Sequence, residues 1–196
     1  MTLYNLVLFA HIIGTLILFM AVAVESLCLH HLRRAATTDQ LREWGSLTKT
    51  IQKPLPLSTV FILGSGLYMT LTAWDLTVPW IGLSLAVVVV MTVVGGAVNS
   101  RRLDAIAAAA EKASPGAIPP DLARRIQDPV LLASINTLTA LGFGVVFLKV
   151  ARPDLVGAVA VLAVAVVLGV LSAGLASRGE NVSTEVMTRD VAKRAA

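Results

Sequence analysis

A chain of 196 residues with 56% hydrophobic and only 14% charged residues carries too little charge for a soluble domain, in which about a quarter of residues are charged. The net charge of +4 would suit nucleic-acid binding, but no aromatic or glycine-rich recognition pattern accompanies the basic residues. One cysteine, Cys28, excludes an intramolecular disulfide and a cysteine-rich metal site. The composition therefore indicates an integral membrane protein, and we expect no nucleic-acid partner.

Five apolar stretches approach or exceed the roughly 20 residues that a helix needs to cross a bilayer. In chain order they cover residues 3–27, 55–73, 78–98, 130–148 and 155–175. The first lacks the basic start and the small-residue cleavage site of a signal peptide, so we expect it to be retained. The sequence predicts an all-α, polytopic bundle of five transmembrane helices over residues 1–178, followed by a polar cytoplasmic tail over residues 179–196.

The connections between the spans predict the orientation of the bundle. Fourteen basic residues fall in the loops 28–54 and 99–129 and in the segment from Arg178 to the end of the chain, whereas only Lys149 and Arg152 fall on the opposite side. Short basic loops stay in the cytoplasm. We therefore expect the N-terminus outside and the C-terminus inside, with the basic loops against anionic lipid headgroups.

The first loop contains a predicted amphipathic helix. Thr37 and Gln40 have the spacing of a capping box. Apolar residues follow at helical spacing: Leu41, Trp44, Leu47 and Ile51. This helix could lie on the inner membrane surface or pack under the bundle, and the pattern does not separate the two. Before the fourth span, Asp128 and Pro129 predict an N-cap and a proline at the first helical position.

Polar residues at membrane depth are the candidate functional residues, because they are costly there and usually face protein or a cavity. His11 lies about 12 Å along the first helix from Leu3, well inside the bilayer. Glu25 lies about 33 Å from Leu3, near the inner boundary, where it can reach headgroups or pair with Arg33 or Arg34. His11 is either an interhelical hydrogen-bonding group or a functional residue.

Two polar layers are expected from the remaining spans. An outer layer contains His11 and Tyr68, and an inner layer contains Glu25, Asn99 and Asn136. All five are candidates for binding a ligand or a proton.

Small residues recur every four positions on the fifth span, and we expect this ridge to serve helix packing or self-association of the chain. It comprises Ala165, Gly169, Ala173 and Ser177.

Several motifs resemble those of a group of small bacterial predicted integral membrane proteins of unknown function, over most of the chain. They are Leu8-Phe9-Ala10-His11-Ile12-Ile13-Gly14, Glu25, Leu32-Arg33-Arg34-Ala35, Gly64-Ser65-Gly66-Leu67-Tyr68-Met69, Asp128-Pro129 and Phe147-Leu148-Lys149. The resemblance implies a location in the bacterial cytoplasmic (inner) membrane.

More distantly, the His-x-x-Gly at His11 is similar to that of the copper-resistance D superfamily and of a haem-associated protoporphyrinogen oxidase family. This similarity implies metal or haem binding at His11. The chain departs from those families in having Leu18-Phe19-Met20 where they often have Trp-x-Gly. The other histidines, His30 and His31, adjoin Arg33 and Arg34 and are typical of a solvated basic interface.

Three hypotheses follow from these residues. The first is a non-enzymatic membrane protein that binds or translocates a small solute or ion, with His11 as a titratable group. The second is a haem- or metal-associated redox protein, or its assembly helper, with His11 as a ligand. The third is a structural subunit that binds nothing. The sequence favours the first, which requires a cavity at His11, whereas the third requires a dry, close-packed bundle.

Overall fold

A computed structural model describes residues 2–195 of the chain, with side chains described for residues 2–176. The helices, in chain order, are α1 (Leu3–Arg34), α2 (Thr38–Gln52), α3 (Leu55–Ala73), α4 (Pro79–Val94), a π-helical segment (Gly95–Ser100), α5 (Arg101–Lys112), α6 (Pro120–Ile126), α7 (Pro129–Ala151) and α8 (Leu155–Ala195). Residues 2–195 form no β-strand. The predicted polar tail, 179–196, lies beyond the described side chains.

Five helical stretches are long and apolar enough to cross a membrane. They are Leu3–Arg34, Thr38–Ala73, Pro79–Lys112, Pro120–Ala151 and Leu155–Ala176. Most of their side chains are not covered by the rest of the chain, since at most 28% of the most apolar 18-residue window of any stretch is buried. A surface of apolar side chains requires lipid around it. The prediction of an all-α membrane bundle with five spans is confirmed.

Prolines and caps explain where the spans begin. Pro79 and Pro129 occupy first-turn positions of α4 and α7, where a missing N–H costs nothing. The carboxylate of Asp128 accepts the Val130 N–H at 2.9 Å, as the sequence predicts for an N-cap. It also pairs with Arg102, which ties the start of α7 to α5.

Helix α2 packs under the bundle, which is the second of its two expected positions. Leu41 is fully buried among residues of α1 and α5, and the ring of Trp44 stacks on His31 with centroids 4.0 Å apart. Gly45 lies against α5, since a Cβ there would come within 3.1 Å of the Ala107 Cβ. Helix α2 therefore packs on α1 and α5 through apolar side chains, Leu41 and Trp44, which a helix on the membrane surface would have placed in lipid.

Helices α7 and α8 approach each other to backbone contact. A Cβ built on Gly169 would lie 2.4 Å from the Thr137 Cα, so only glycine permits this approach. Ala165 and Ala173 of the same ridge are buried, and Ala165 faces Gly144 of α7. The predicted ridge is thus a packing face within one chain. The side chain of Ser177, the last residue of the predicted ridge, lies outside the described residues.

Candidate functional site: two adjoining cavities

Two cavities lie between α1, α3, α4 and α7. One, the His11 cavity, has a volume of about 100 Å³, and α1 lines it from His11 to Phe19. The other, the Glu25 cavity, has about 210 Å³, and α1 lines it from Leu18 to Glu25. Because they use successive turns of one helix, the cavities follow one another along the bundle. Each has room for several water molecules.

The cavities meet at four side chains that line both of them. These residues, which we name the apolar ring, are Leu18, Ile62, Val88 and Met91. They come from α1, α3 and α4. None has an N–H or O–H group in its side chain, so the ring is an apolar boundary between the cavity that contains His11 and the cavity that contains Glu25.

His11 is held against α3 by two contacts of its Nδ1. The carbonyl oxygen of Ile62 lies 3.2 Å away and the hydroxyl oxygen of Ser65 lies 2.9 Å away. A carbonyl only accepts, and the Ser65 hydroxyl donates to the carbonyl of Phe61. This network assigns the proton to Nδ1 and leaves Nε2 as an acceptor. His11 therefore has the interhelical bond that one hypothesis expected, and it also lines a cavity.

Gly66 of α3 lies against the imidazole. A Cβ on Gly66 would be in van der Waals contact with the ring, 3.4 Å from the His11 Cε1. The hydroxyls of Thr15, Thr70 and Ser84 in this cavity all donate to carbonyls of their own helices. The imidazole therefore supplies the cavity with an acceptor nitrogen, Nε2, that is left for a ligand.

Lys149 lines the His11 cavity at the end of α7, where much of its side chain is exposed. Its ammonium lies 5.1 Å from the centre of the Trp80 ring, and the guanidinium of Arg152 lies 5.0 Å from the centre of Trp74. The two tryptophan rings contact edge to face, 5.5 Å apart. This cluster has the composition of a membrane–water interface.

Glu25 is buried, with 7% of its surface exposed, and its Oε1 accepts a hydrogen bond of 3.2 Å from the Gln52 side chain. The expected partners were headgroups or Arg33 and Arg34. The Arg33 guanidinium instead donates to the carbonyl of Ile126. Gln52 was missed by sequence reasoning, because only the docking of α2 under the bundle brings its last residue to α1.

Asn99 lies in the π-helical segment and lines the Glu25 cavity. It is 2% exposed, and its Oδ1 has no hydrogen-bond partner among the described residues. An unpaired buried carbonyl costs about 1–3 kcal/mol. Segments of π-helix are rare and frequently occur at functional sites. The sequence signal for this segment was the glycine pair that opens it, Gly95-Gly96.

The two remaining predicted residues line neither cavity. Tyr68 is half-buried on α3, and its carbonyl accepts from the Thr72 hydroxyl at 2.8 Å. Asn136 donates from Nδ2 to the Ser172 hydroxyl at 3.2 Å, and this bond joins α7 to α8. Of the expected inner layer, Glu25 and Asn99 share a cavity and Asn136 lies apart from them.

The residues around His11 do not fit a haem or a metal centre. The cavity, at about 100 Å³, is well below the roughly 300–1,000 Å³ of ordinary small-molecule pockets. Within the described part of the chain, no group of three or more His, Cys, Asp or Glu side chains is placed to hold a metal ion. A single imidazole supplies one ligand, whereas structural and catalytic zinc sites take three or four from the protein.

Fold and cavities together define a multi-pass helical membrane protein whose described residues form two adjoining, partly open cavities. No family model, no curated protein and no solved structure matches the chain. The function is therefore inferred from the residues that line the cavities.

Proposed function

We propose that the protein is a non-enzymatic membrane protein that binds a small solute or ion inside its helix bundle and translocates it. The observation that supports this most directly is the pair of adjoining cavities separated by the apolar ring. A structural subunit would gain most from a dry bundle, since helices in lipid associate chiefly through close packing. The cavities favour a ligand-binding role over a scaffolding one.

The apolar ring supplies the gate of this mechanism. A ring of apolar side chains excludes water and ions while it is narrow and admits them when it widens. Its members come from three helices, so a small displacement of α1 against α3 and α4 would change its width. His11 on one side and Glu25 on the other would bind the solute or a proton before and after passage.

We further propose the orientation and location that the sequence predicts. With the N-terminus outside, the His11 cavity faces the outer side and the Glu25 cavity faces the cytoplasm. The basic residues of loops 28–54 and 99–129 support this orientation, and anionic headgroups would be their partners. The resemblance to small bacterial membrane proteins supports the bacterial inner membrane. Self-association through α8 would have to use its exposed valine- and leucine-rich face, since the small-residue ridge packs on α7.

A vesicle experiment tests translocation through the ring. Purified protein is reconstituted into vesicles that contain a pH-sensitive or a sodium-sensitive dye, and a gradient of H⁺ or Na⁺ is applied. We expect faster dissipation of at least one gradient than in empty vesicles. Met91→Trp, which fills the ring with a bulky side chain, should reduce the rate to that of empty vesicles.

Met20→Trp is the matched control for this experiment. Met20 is 68% exposed on α1, on the lipid-facing side, so the same substitution there should leave the rate unchanged. Rates equal to those of empty vesicles for both ions, or equal reductions by the two tryptophans, would contradict translocation through the ring.

A further inference from the structure

The Glu25 cavity presents oxygen atoms from three separate elements. Glu25 contributes a carboxylate from α1, Gln52 an amide from α2, and Asn99 an amide from the π-helical segment. Hydroxyl oxygens of Thr59, Thr92 and Ser100 line the same space. Carboxylate, amide and hydroxyl oxygens, without nitrogen or sulfur ligands, are the set that hard cations prefer.

We infer that the Glu25 cavity is a binding site for a monovalent cation of the alkali type, with Glu25 and Asn99 as its principal ligands. The inference rests on the proposed function for its cavity, but it does not require that the cation crosses the membrane.

Asn99 provides the first argument for a bound cation. Its Oδ1 is buried without a partner among the described residues, and such groups in native structures are usually explained by a water or an ion. The amide oxygen and nitrogen exchange places when the side-chain amide turns by half a rotation. With its amide turned so that the oxygen faces the cavity, Asn99 would offer that oxygen to a bound cation.

The charge of the cavity provides the second argument, because it selects a single positive charge. Among the residues whose side chains the structure describes, 2–176, Glu25 is the one formally charged residue in the lining. Gln52 donates to its Oε1, which leaves Oε2 for a ligand. One carboxylate and one monovalent cation are electrically neutral together, whereas a divalent ion would leave a net charge in a medium of low dielectric constant. Lys149, a cationic side chain, lines the His11 cavity and is separated from the Glu25 cavity by the apolar ring.

The backbone of the π-helical segment keeps the site open. Gly95 and Gly96 line the cavity without side chains, and a Cβ on Gly96 would meet no atom within 4 Å. The widened turn and its glycines therefore leave space directly beside Asn99. The cavity, at about 210 Å³, holds a cation together with several waters of its hydration shell.

Equilibrium binding of ²²Na⁺ to the purified full chain in detergent tests this inference. We expect saturable binding that unlabelled Na⁺ displaces, with K⁺ and methylammonium as competitors that define the preferred monovalent ion. Glu25→Gln should lower the affinity by at least a hundredfold, because it removes the carboxylate charge that would neutralise the cation. Asn99→Ala should lower it by about tenfold. Asn136→Ala, which removes an amide outside the cavity, should leave the affinity unchanged.

A second variant distinguishes loss of the site from loss of the fold. Asn99→Asp adds a carboxylate to the same cavity and should shift the preference from Na⁺ to Ca²⁺, a gain that a misfolded protein does not show. The inference is overturned if none of the monovalent ions binds saturably. It is also overturned if Glu25→Gln binds like the wild type, or if Ca²⁺ displaces ²²Na⁺ from the wild type at lower concentration than Na⁺ does.

The binding and vesicle experiments together distinguish the cation site from translocation. Saturable, Glu25-dependent binding in a protein whose vesicles dissipate no gradient would support the cation site and contradict translocation. Dissipation that Met91→Trp abolishes, in a protein that binds no monovalent cation, would support translocation and contradict the cation site.

Discussion

The helix pair α7–α8 and the space between α1, α3, α4 and α7 use small residues in opposite ways. In the first region, Gly169 lets two backbones approach until a Cβ would lie 2.4 Å from the Thr137 Cα. In the second, Gly95 and Gly96 face open space, where a Cβ would meet the nearest atom at 3.9 Å or none within 4 Å. The same residue type closes one interface and keeps the other open.

This difference shows that the cavities are not a general consequence of poor packing. The chain reaches backbone contact along α7 and α8, although apolar helices gain no hydrophobic driving force from pairing in lipid. A void forfeits dispersion contacts on the side where atoms are missing. The bundle bears that cost where polar side chains line the void, at His11 and Glu25, which is the distribution expected of a binding site rather than of loose packing.

Gly169→Ala tests the closed interface and should have the largest effect on stability. The added methyl group must push α8 away from the Thr137 backbone, which cannot rotate aside as a side chain could. We expect the free energy of unfolding to fall toward the upper end of the roughly 1–3 kcal/mol that overpacking costs. Unfolding in mixed micelles, followed by circular dichroism, measures the change.

Gly64→Ala is the control for that measurement. A Cβ on Gly64 of α3 would meet no atom within 4 Å, so its replacement should not destabilise the protein. Equal losses from the two substitutions would show that helix propensity or micelle effects, and not the α7–α8 contact, determine the result.

The helices that face lipid were predictable from sequence because length and apolarity alone define them. The five predicted spans coincide with five long apolar helical stretches, and Asp128 caps α7 as its spacing with Pro129 indicates. The capping box of α2 is present in a shifted form. The N–H of Gln40 donates to the Thr37 hydroxyl, while the Gln40 side chain accepts from Ala36, one residue before the cap.

The candidate site was predictable only in its parts. His11 and Glu25 were identified by depth along one helix, a quantity that the sequence contains. Gln52 and the apolar ring depend on which faces of separate helices meet, and apolar helices have too little amphipathic pattern to specify those faces. Tyr68 was grouped with His11 by depth alone, and depth does not distinguish the side of α3 that lines the cavity.

Gly95→Ala tests the open region. It should raise the free energy of unfolding, whereas Gly169→Ala should lower it. Its backbone is in the right-handed helical region, and the added Cβ would make only ordinary contact, at 3.9 Å from Leu138. Glycine inside a helix costs about 0.5–1 kcal/mol relative to alanine, so we expect a gain of that size in the unfolding free energy. A loss comparable to that of Gly169→Ala would mean that the segment is close-packed and that the Glu25 cavity is not open there.

Ser65→Ala should have the smallest effect, and it tests the hydrogen bond that joins α1 to α3 beside the His11 cavity. The substitution removes the 2.9 Å contact with the His11 Nδ1, while the contact of Nδ1 with the Ile62 carbonyl remains. Interhelical hydrogen bonds in membrane proteins contribute about 0.6 kcal/mol on average, which is the loss we expect. Ser58→Ala is the matched control, because the buried Ser58 hydroxyl donates only within its own helix, to the Leu55 carbonyl. An equal loss from both would assign the effect to the helix itself, whereas a larger loss from Ser65→Ala, absent when His11 is already alanine, would assign it to the bond between α1 and α3.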